Sequence, residues 1–246
     1  MALPRFYCPA RLSADTRVRL PESVARHASQ VLRLRAGDQL RVFDGAGGEY
    51  GARIATIARD EVTIDVVDRH DVDCEAPVAV TLVQALQAGE KMDLTVQKAV
   101  ELGVARIVPV STRRSVVRLA GERAARRVEH WRAVAAAACE QCGRNRLPLV
   151  SEIITLEQWL AQPGAPETLR LMLTPGVERR FADLAAPVAG RRIELLIGAE
   201  GGLAPDEIER AATAGYVGVR LGPRILRTET AGLAALAVIQ CLWGDF

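Results

Sequence analysis

From residue 78 onward, apolar runs of strand length alternate with stretches whose apolar positions recur at helical spacing. VAVTLVQAL (78–86), ARIVPV (105–110), LRLML (169–173), RIELLIG (192–198) and YVGVRLG (216–222) read as strands. KMDLTVQKAVELG (91–103), the stretch from Glu122 to Cys142, a segment opened by Pro205, and the stretch from Thr230 to Leu242 read as helices. Nearly continuous apolar strands separated by amphipathic helices predict a parallel α/β sheet. The first 70 residues have another texture. DQLRVFDG, AGGEYG and ARIATIA form strands with a hairpin around Ala46 to Gly48, and EVTIDVVD alternates with period two. A short helix from Pro21 to Leu34 interrupts them, with Val24, Ala28, Val31 and Leu32 on its apolar side. A small, mostly antiparallel barrel is the simplest closure for such strands. The texture changes at DVDCEAP (71–77), which places a boundary near residue 73 and divides the chain into domains 1–72 and 73–246.

The 246 residues are 49% hydrophobic and 25% charged, proportions that exclude disordered and fibrous classes. The most apolar segment, Ala231 to Trp243, is short for a membrane span and carries Gln240. The opening MALPRFYCPARLS has Arg5 and two prolines where a secretory leader needs an apolar run. A cytoplasmic protein without membrane contact is expected. The five cysteines fit a reducing compartment. Cys139 and Cys142 form a CxxC, but neither the other cysteines nor the three histidines supply a second pair. The two therefore read as one face of a helix, with no metal.

A net charge of +2 by itself argues against a nucleic-acid partner. Its distribution changes that. Nine arginines against three glutamates between Arg113 and Arg146 give +6 in 34 residues, which leaves −4 for the remainder. Arg113, Arg114 and Arg118 precede the long helix, and Arg144 and Arg146 follow it, as loop residues contacting phosphates do. A solvated helix face explains the other arginines equally well. The first 72 residues hold eleven arginines and ten acids, so any basic surface there is local. Thirty of the basic residues are Arg and only two, Lys91 and Lys98, are Lys.

Ligands of open α/β sheets bind beyond the carboxyl ends of the strands. Three loops stand there: TPG (174–176), GAEGGLAPDE (198–207) and LGPRILRTETAG (221–232). Gly198, Gly201 and Gly202 occupy a strand-to-helix turn that needs positive φ or close backbone approach. Neither the dinucleotide GxGxxG nor the phosphate-binding GxxxxGK[ST] is present, so a ligand held by backbone groups and an ordinary tight turn both remain open. In the third loop, Thr228 or Thr230 suits a helix cap and Glu229 the positive end of the helix dipole. Arg224 and Arg227 flank Ile225 and Leu226, a pattern suited to an apolar pocket wall whose arginines reach an electron-rich substrate.

GEKMDLTVQKAVELGVARIVP (89–109), AACEQCGRNRLP (137–148), LLIGAEGGL (195–203) and LGPRILRTETA (221–231) together resemble the signature segments of bacterial 16S rRNA uridine-N3 methyltransferases, members of the SPOUT superfamily. The N-terminal FDG and its flanking strands resemble that family's PUA-like domain. The resemblance implies a SPOUT-type parallel sheet with a C-terminal trefoil knot, preceded by a small PUA-like RNA-binding β-barrel. It also implies S-adenosylmethionine as cofactor, 16S rRNA in the assembled 30S subunit as substrate, and a homodimer. The cofactor would lie against Leu173, Thr174 and Pro175, against Ile197, Gly198, Ala199, Glu200, Gly201 and Gly202, and against Leu221, Gly222, Ile225, Leu226, Arg227 and Thr228. RNA would be met by Arg5, Arg11, Lys91, Arg113, Arg114, Arg118, Arg144 and Arg146. Two departures stand out. Ala199 replaces the usual proline of GPEGG, which loosens that loop modestly, and Thr174–Pro175 replaces a His-Pro-like pair.

Methylating uracil N3 requires that its proton leave and that the resulting charge on O2 and O4 be stabilised. Arg227 is the expected cation and Glu229 the expected base, with Glu200 second. A glutamate at such a turn also serves as a simple cap. The rival from another class is a non-catalytic RNA-binding ribosome-assembly factor, which has no need of a cofactor pocket. A nucleotide-dependent oxidoreductase lacks its fingerprint.

Overall fold

The computed structural model describes residues 3–58, 61–164, 167–185 and 192–246. They divide into two units: the chain up to Glu75 together with Ala136–Leu147, and Ala76–Ala135 together with Pro148–Phe246. A single boundary near 73 assigns residues 136–147 to the second part; in the structure they cluster with the first.

In the first unit, β1 (Arg5–Tyr7) and β2 (Thr16–Arg19) precede α1 (Glu22–Arg26). The latter runs into one turn of π-helix at His27–Val31. Then come β3 (Gln39–Phe43), β4 (Glu49–Ala58) and β5 (Glu61–His70). They pair in the order β1-β3-β4-β5-β2, antiparallel except for the parallel β1–β3 contact. The period-two pattern of EVTIDVVD does what it predicts: Val62, Ile64 and Val66 point inward and meet Tyr50, Ala52 and Ile54 of β4 in the core. The helix expected to reach Leu34 stops at Val31, because Arg33 takes a left-handed φ of 54°.

Residues 136–147 are fastened to this unit by Arg5. Its Nε meets Glu49 at 3.1 Å, and its terminal nitrogens donate to the carbonyls of Cys139, Glu140, Gly143 and Arg144 and to Asn145 Oδ1. Arg5 thus caps the helix end, where of these carbonyls Cys139 O also accepts the Gly143 N–H at 3.2 Å. Asn145 Nδ2 donates to the Val72 carbonyl, and the buried Arg144 forks onto Glu75. The Cys139 thiol lies fully inside, where burial pushes its pKa up to about 12. Cys142, one helical turn on, is half-buried, and both thiols are free. Burial also pushes the Glu140 carboxyl upward, opposed by the Tyr7 N–H that donates to it at 2.8 Å.

The second unit follows the βαβ alternation. Its elements are β6 (Ala79–Ala85), α2 (Lys91–Glu101), β7 (Arg106–Ser111), α3 (Gly121–Cys142, up to Ala135 within this unit), β8 (Leu149–Val150), β9 (Ile154–Thr155), α4 (Leu156–Leu160), β10 (Leu169–Leu173), β11 (Arg192–Ile197), α5 (Pro205–Thr213), β12 (Val217–Val219) and α6 (Thr228–Trp243). Seven strands lie in one sheet in the order β12-β10-β11-β6-β7-β8, with β9 beside β7, and every pairing is parallel. A parallel sheet needs cover on both faces. Val83, Val108, Met172 and Leu196 pack with Trp159 of α4 and Ala211 of α5. On α6, Gly232 has no Cβ, and one placed there would lie 3.1 Å from Gln84 Oε1 and 3.5 Å from Ile197 Cγ1, so α6 can lie close on β6 and β11.

Candidate functional site

β12, β10 and β11 are neighbours, so the three loops leaving their carboxyl ends are neighbours too. Here the structure gathers Leu173 to Pro175, Ile197 to Gly202 and Leu221 to Thr228. Thr174 N–H donates to Val219 O at 3.1 Å, and Thr228 Oγ1 donates to Gly198 O at 2.6 Å. A Cβ on Gly198 would lie 2.8 Å from the carbonyl carbon of Gly202 and the nitrogen of Leu203, so only glycine fits. Gly176, Gly202 and Gly222 all take positive φ, and a Cβ at any of them would project into open space. The three loops therefore meet along a face, here a cradle, where the backbone at these glycines is left uncovered by side chains. Ala199, in the place of the family's proline, is buried and accepts a 2.8 Å bond from Gly202 N–H, so the turn closes without it.

Thr228 is the first residue of α6, and its hydroxyl caps nothing. Besides donating to Gly198, it accepts from Gln84 Nε2 at 3.0 Å and from Gln87 Nε2 at 3.4 Å. The expected cap at Thr228 or Thr230 is thereby corrected: the helix begins after Arg227, and the threonine joins two loops instead. Glu229 sits in the first turn, as expected of an acid at a helix N-terminus. Its Oε1 lies 3.7 Å from Lys91 Nζ, which is also 3.6 Å from Glu200 Oε1. Glu200 Oε1 accepts the Ala88 N–H as well, while Glu229 Oε2 is buried without a hydrogen-bond partner among the described residues. Arg227 is exposed and its guanidinium makes no hydrogen bond or ion pair among the described residues; Ile225 beside it is 85% exposed.

The expected RNA contacts separate into groups. Arg114 donates to Gly201 O at 2.8 Å, Arg113 pairs with Asp206 at 2.8 Å, and Arg118 donates to the Arg113 carbonyl at 3.2 Å. All three are exposed but brace the glycine turn and its neighbourhood. In the first unit, Arg11 and Arg146 are exposed, the latter donating to Ala46 O. Arg5 and Arg144 are corrected: their guanidinium groups are turned inward and occupied by carboxylates or carbonyls, so they are structural pins and not surface cations. Lys91 stands in the cradle's charged cluster, between Glu200 and Glu229 and partly exposed.

Sequence reasoning missed Glu207, whose carboxylate is 1% exposed and accepts the N–H groups of Arg113 and Ala204, both at 2.8 Å. The signal was available: a glutamate three residues into a helix opened by Pro205. It missed Gln84 and Gln87, visible only as polar residues in and just after an apolar strand. It also missed a buried set in which Trp159 donates to Tyr216 Oη, Tyr216 donates to Glu194, and Arg170 pairs with Glu194 at 3.0 Å. Burial and the Glu194 charge hold the Tyr216 phenol far above its ordinary pKa, so it remains a donor.

An all-parallel sheet with a glycine-lined, charged cradle at the carboxyl ends of adjacent strands defines an α/β domain that binds a small ligand at its sheet edge. Residues 74–240 match the model of the RNA methyltransferase domain, and residues 20–67 match that of the RNA methyltransferase PUA domain. The chain belongs to the RNA methyltransferase family. It is 35% identical over 219 residues to a Mycobacterium bovis protein named ribosomal RNA small subunit methyltransferase E, covering 88% of this chain and 83% of that one. A Neisseria gonorrhoeae structure of the same name, bound to S-adenosyl methionine, is 39% identical with a TM-score of 0.92 over 100% of both chains. A Legionella pneumophila protein described as a methyltransferase, with bound SAM, gives 34% and 0.95 over 100% of both.

Proposed function

We propose that the protein transfers a methyl group from S-adenosylmethionine to N3 of a uridine in the 16S rRNA of the small ribosomal subunit, in the cytoplasm and as a homodimer. One observation carries this reading: the backbone-lined cradle of the three loops, with Glu229, Glu200 and Lys91 converging beside it. The residues fit the cofactor. Three glycines leave room where side chains would intrude, and the net charge of the cluster complements a cation. Gly198, Ala199, Gly202 and Leu221 to Leu226 would hold it by backbone groups and apolar contact, with the chain end threaded as the superfamily's knot. When bound, the cofactor supplies an electrophilic methyl on a positively charged sulfur.

This chain's own residues then have three tasks. The Glu229 carboxylate receives the N3 proton, either directly or through water. The exposed Arg227 presents its fork to the uracil carbonyl oxygens, where the anion's charge accumulates. The cradle holds the acceptor nitrogen in line, a positioning effect that lowers the barrier without new chemistry. The uridine must be unstacked to enter, so an RNA that presents it already splayed is the better substrate. Arg11, Arg113, Arg114, Arg118 and Arg146 offer exposed donors for its phosphates. Membership in a methyltransferase family disfavours a purely scaffolding role.

The test is incubation of 30S subunits with protein and S-adenosylmethionine, followed by nuclease digestion and mass spectrometry of the 16S rRNA. One N3-methyluridine is expected. Methyl on C5 or on a ribose oxygen, or no transfer, defeats the assignment.

A further inference from the structure

Lys91 stands out twice: it is one of two lysines among thirty arginines, and its ammonium lies between carboxylates from two different loops of the cradle. Glu200 comes from the glycine turn after β11 and Glu229 from the first turn of α6, and the Thr228–Gly198 bond ties these segments together. Two carboxylates against one ammonium leave the cluster a formal charge of −1. Glu229 Oε2 is buried and accepts no hydrogen bond among the described residues, so part of that negative charge has no donor against it inside the site. The side chains of Glu200 and Glu229 are about one-fifth exposed, where charges are screened less than at the surface. Arg227, two residues before Glu229, pairs with neither acid among the described residues.

We propose that the Glu200–Lys91–Glu229 cluster sets the preference of the site for a charged methyl donor over its neutral product, and so drives product exchange. The inference rests on the methyl-donor reading above. In the transfer, the sulfur–methyl bond breaks with its electron pair left on sulfur, the N3 lone pair forms the new bond, and the N3 proton passes to Glu229 and on to solvent. S-adenosylmethionine carries a sulfonium, an ammonium and a carboxylate, a net +1; S-adenosylhomocysteine carries the last two only, a net zero. A cluster of charge −1 therefore loses part of its attraction for the ligand at the moment of turnover, while the Arg114 and Arg227 charges nearby stay the same in every variant tested. Two adjacent carboxylates without a cation would bind the donor more tightly still but would repel each other; Lys91 trims the field to one excess charge and spaces the acids. In this role Lys91 is a positioning residue.

The test is calorimetry with S-adenosylmethionine and S-adenosylhomocysteine on the full chain and on E229Q, E200Q, K91M and K91R, at low and at high salt. The readout is the ratio of the two dissociation constants, which cancels general damage to the loop because both ligands share the adenosine and amino-acid parts. At a separation of about 8 Å and an effective dielectric of about 40, removing one negative charge should shift the ratio roughly fivefold. Preference for the donor should fall in E229Q and E200Q, rise in K91M, stay unchanged in K91R, and shrink with added salt. A ratio equal in all variants, or one moving in the opposite direction in K91M and E229Q, overturns the inference. Failure of the unmodified protein to bind either ligand would instead defeat the methyl-donor reading itself.

Discussion

The hydroxyl of Thr228 donates to the carbonyl of Gly198 at 2.6 Å, joining the start of the last helix to the end of a strand thirty residues earlier. The same oxygen accepts from Gln84 and Gln87, so a single side chain ties together the ends of two strands and a helix. Replacing Thr228 with Val keeps the shape and removes the bonds. It leaves a carbonyl and two amide donors short of partners, and the expected loss is about 1–3 kcal/mol of stability. Denaturant titration checks it, and an unchanged midpoint would show that water substitutes for the hydroxyl.

Gly198→Ala should be more damaging than its one added methyl implies. The new Cβ would meet backbone atoms at 2.8 Å, and backbone has no free rotamer into which to retreat. We expect cofactor affinity to fall at least tenfold, with a smaller loss in melting temperature. Gly222→Ala, where the added atom meets open space but φ is +72°, should cost stability through backbone strain and leave the loop's packing intact.

Arg227→Ala should preserve S-adenosylmethionine binding and slow methyl transfer sharply, because the exposed guanidinium supports no other part of the fold among the described residues. Losing one preorganised charge stabiliser slows the reaction step by about 100- to 1000-fold. Single-turnover transfer to 30S subunits measures that step, and a rate near that of the unmodified enzyme would remove Arg227 from the chemistry.

Arg5→Ala should destabilise the protein by about 3 kcal/mol, since it leaves Glu49 with only the longer Arg41 contact and removes the donor from several helix-end carbonyls. Arg5→Lys should recover little, because a point charge cannot reach the several acceptors that the fork serves. An alternative in which Arg5 serves RNA predicts the reverse: normal stability with weakened RNA binding.

At pH 8 a thiol reagent should modify Cys74 and Cys241, both exposed, and spare Cys139 in the folded protein. With its pKa pushed to about 12, Cys139 remains protonated throughout that range, and the thiolate is the reactive form. Because the raised pKa keeps the native thiol neutral, ionisation favours unfolding only above the ordinary thiol pKa. Stability tied to this group is therefore present at neutral pH and is lost as pH rises toward 12. Rapid labelling of Cys139 at pH 8 would contradict its burial.

The alternation of apolar strands and helical spacing after residue 78 was enough to read the parallel sheet, and the glycines of GAEGG marked the turn that carries the site. Gathering the three loops required the strand order, because only the adjacency of β12, β10 and β11 turns three separate stretches into one cradle. Charge was the least legible property. Arg5, Arg144 and Lys91 look like surface cations in the sequence, yet their partners lie 44, 69 and 109 or more positions away, and nothing local in the pattern announces them. The parallel β1–β3 pair was hidden for a similar reason: short strands that alternate well are read first as hairpins.

The grip of Arg5 on the carbonyls of residues 139–144 also has a consequence for biosynthesis. The five strands of the N-terminal sheet are all made once His70 has left the ribosome, but the partners of Arg5 in residues 139–145 follow only after about seventy further residues, including most of the first helices of the other unit. A translation product halted near residue 75 would carry an arginine prepared for a helix end that does not yet exist. We expect such a fragment, made alone, to expose Glu49 and Arg5 and to depend on supply of the 136–147 segment to fold fully.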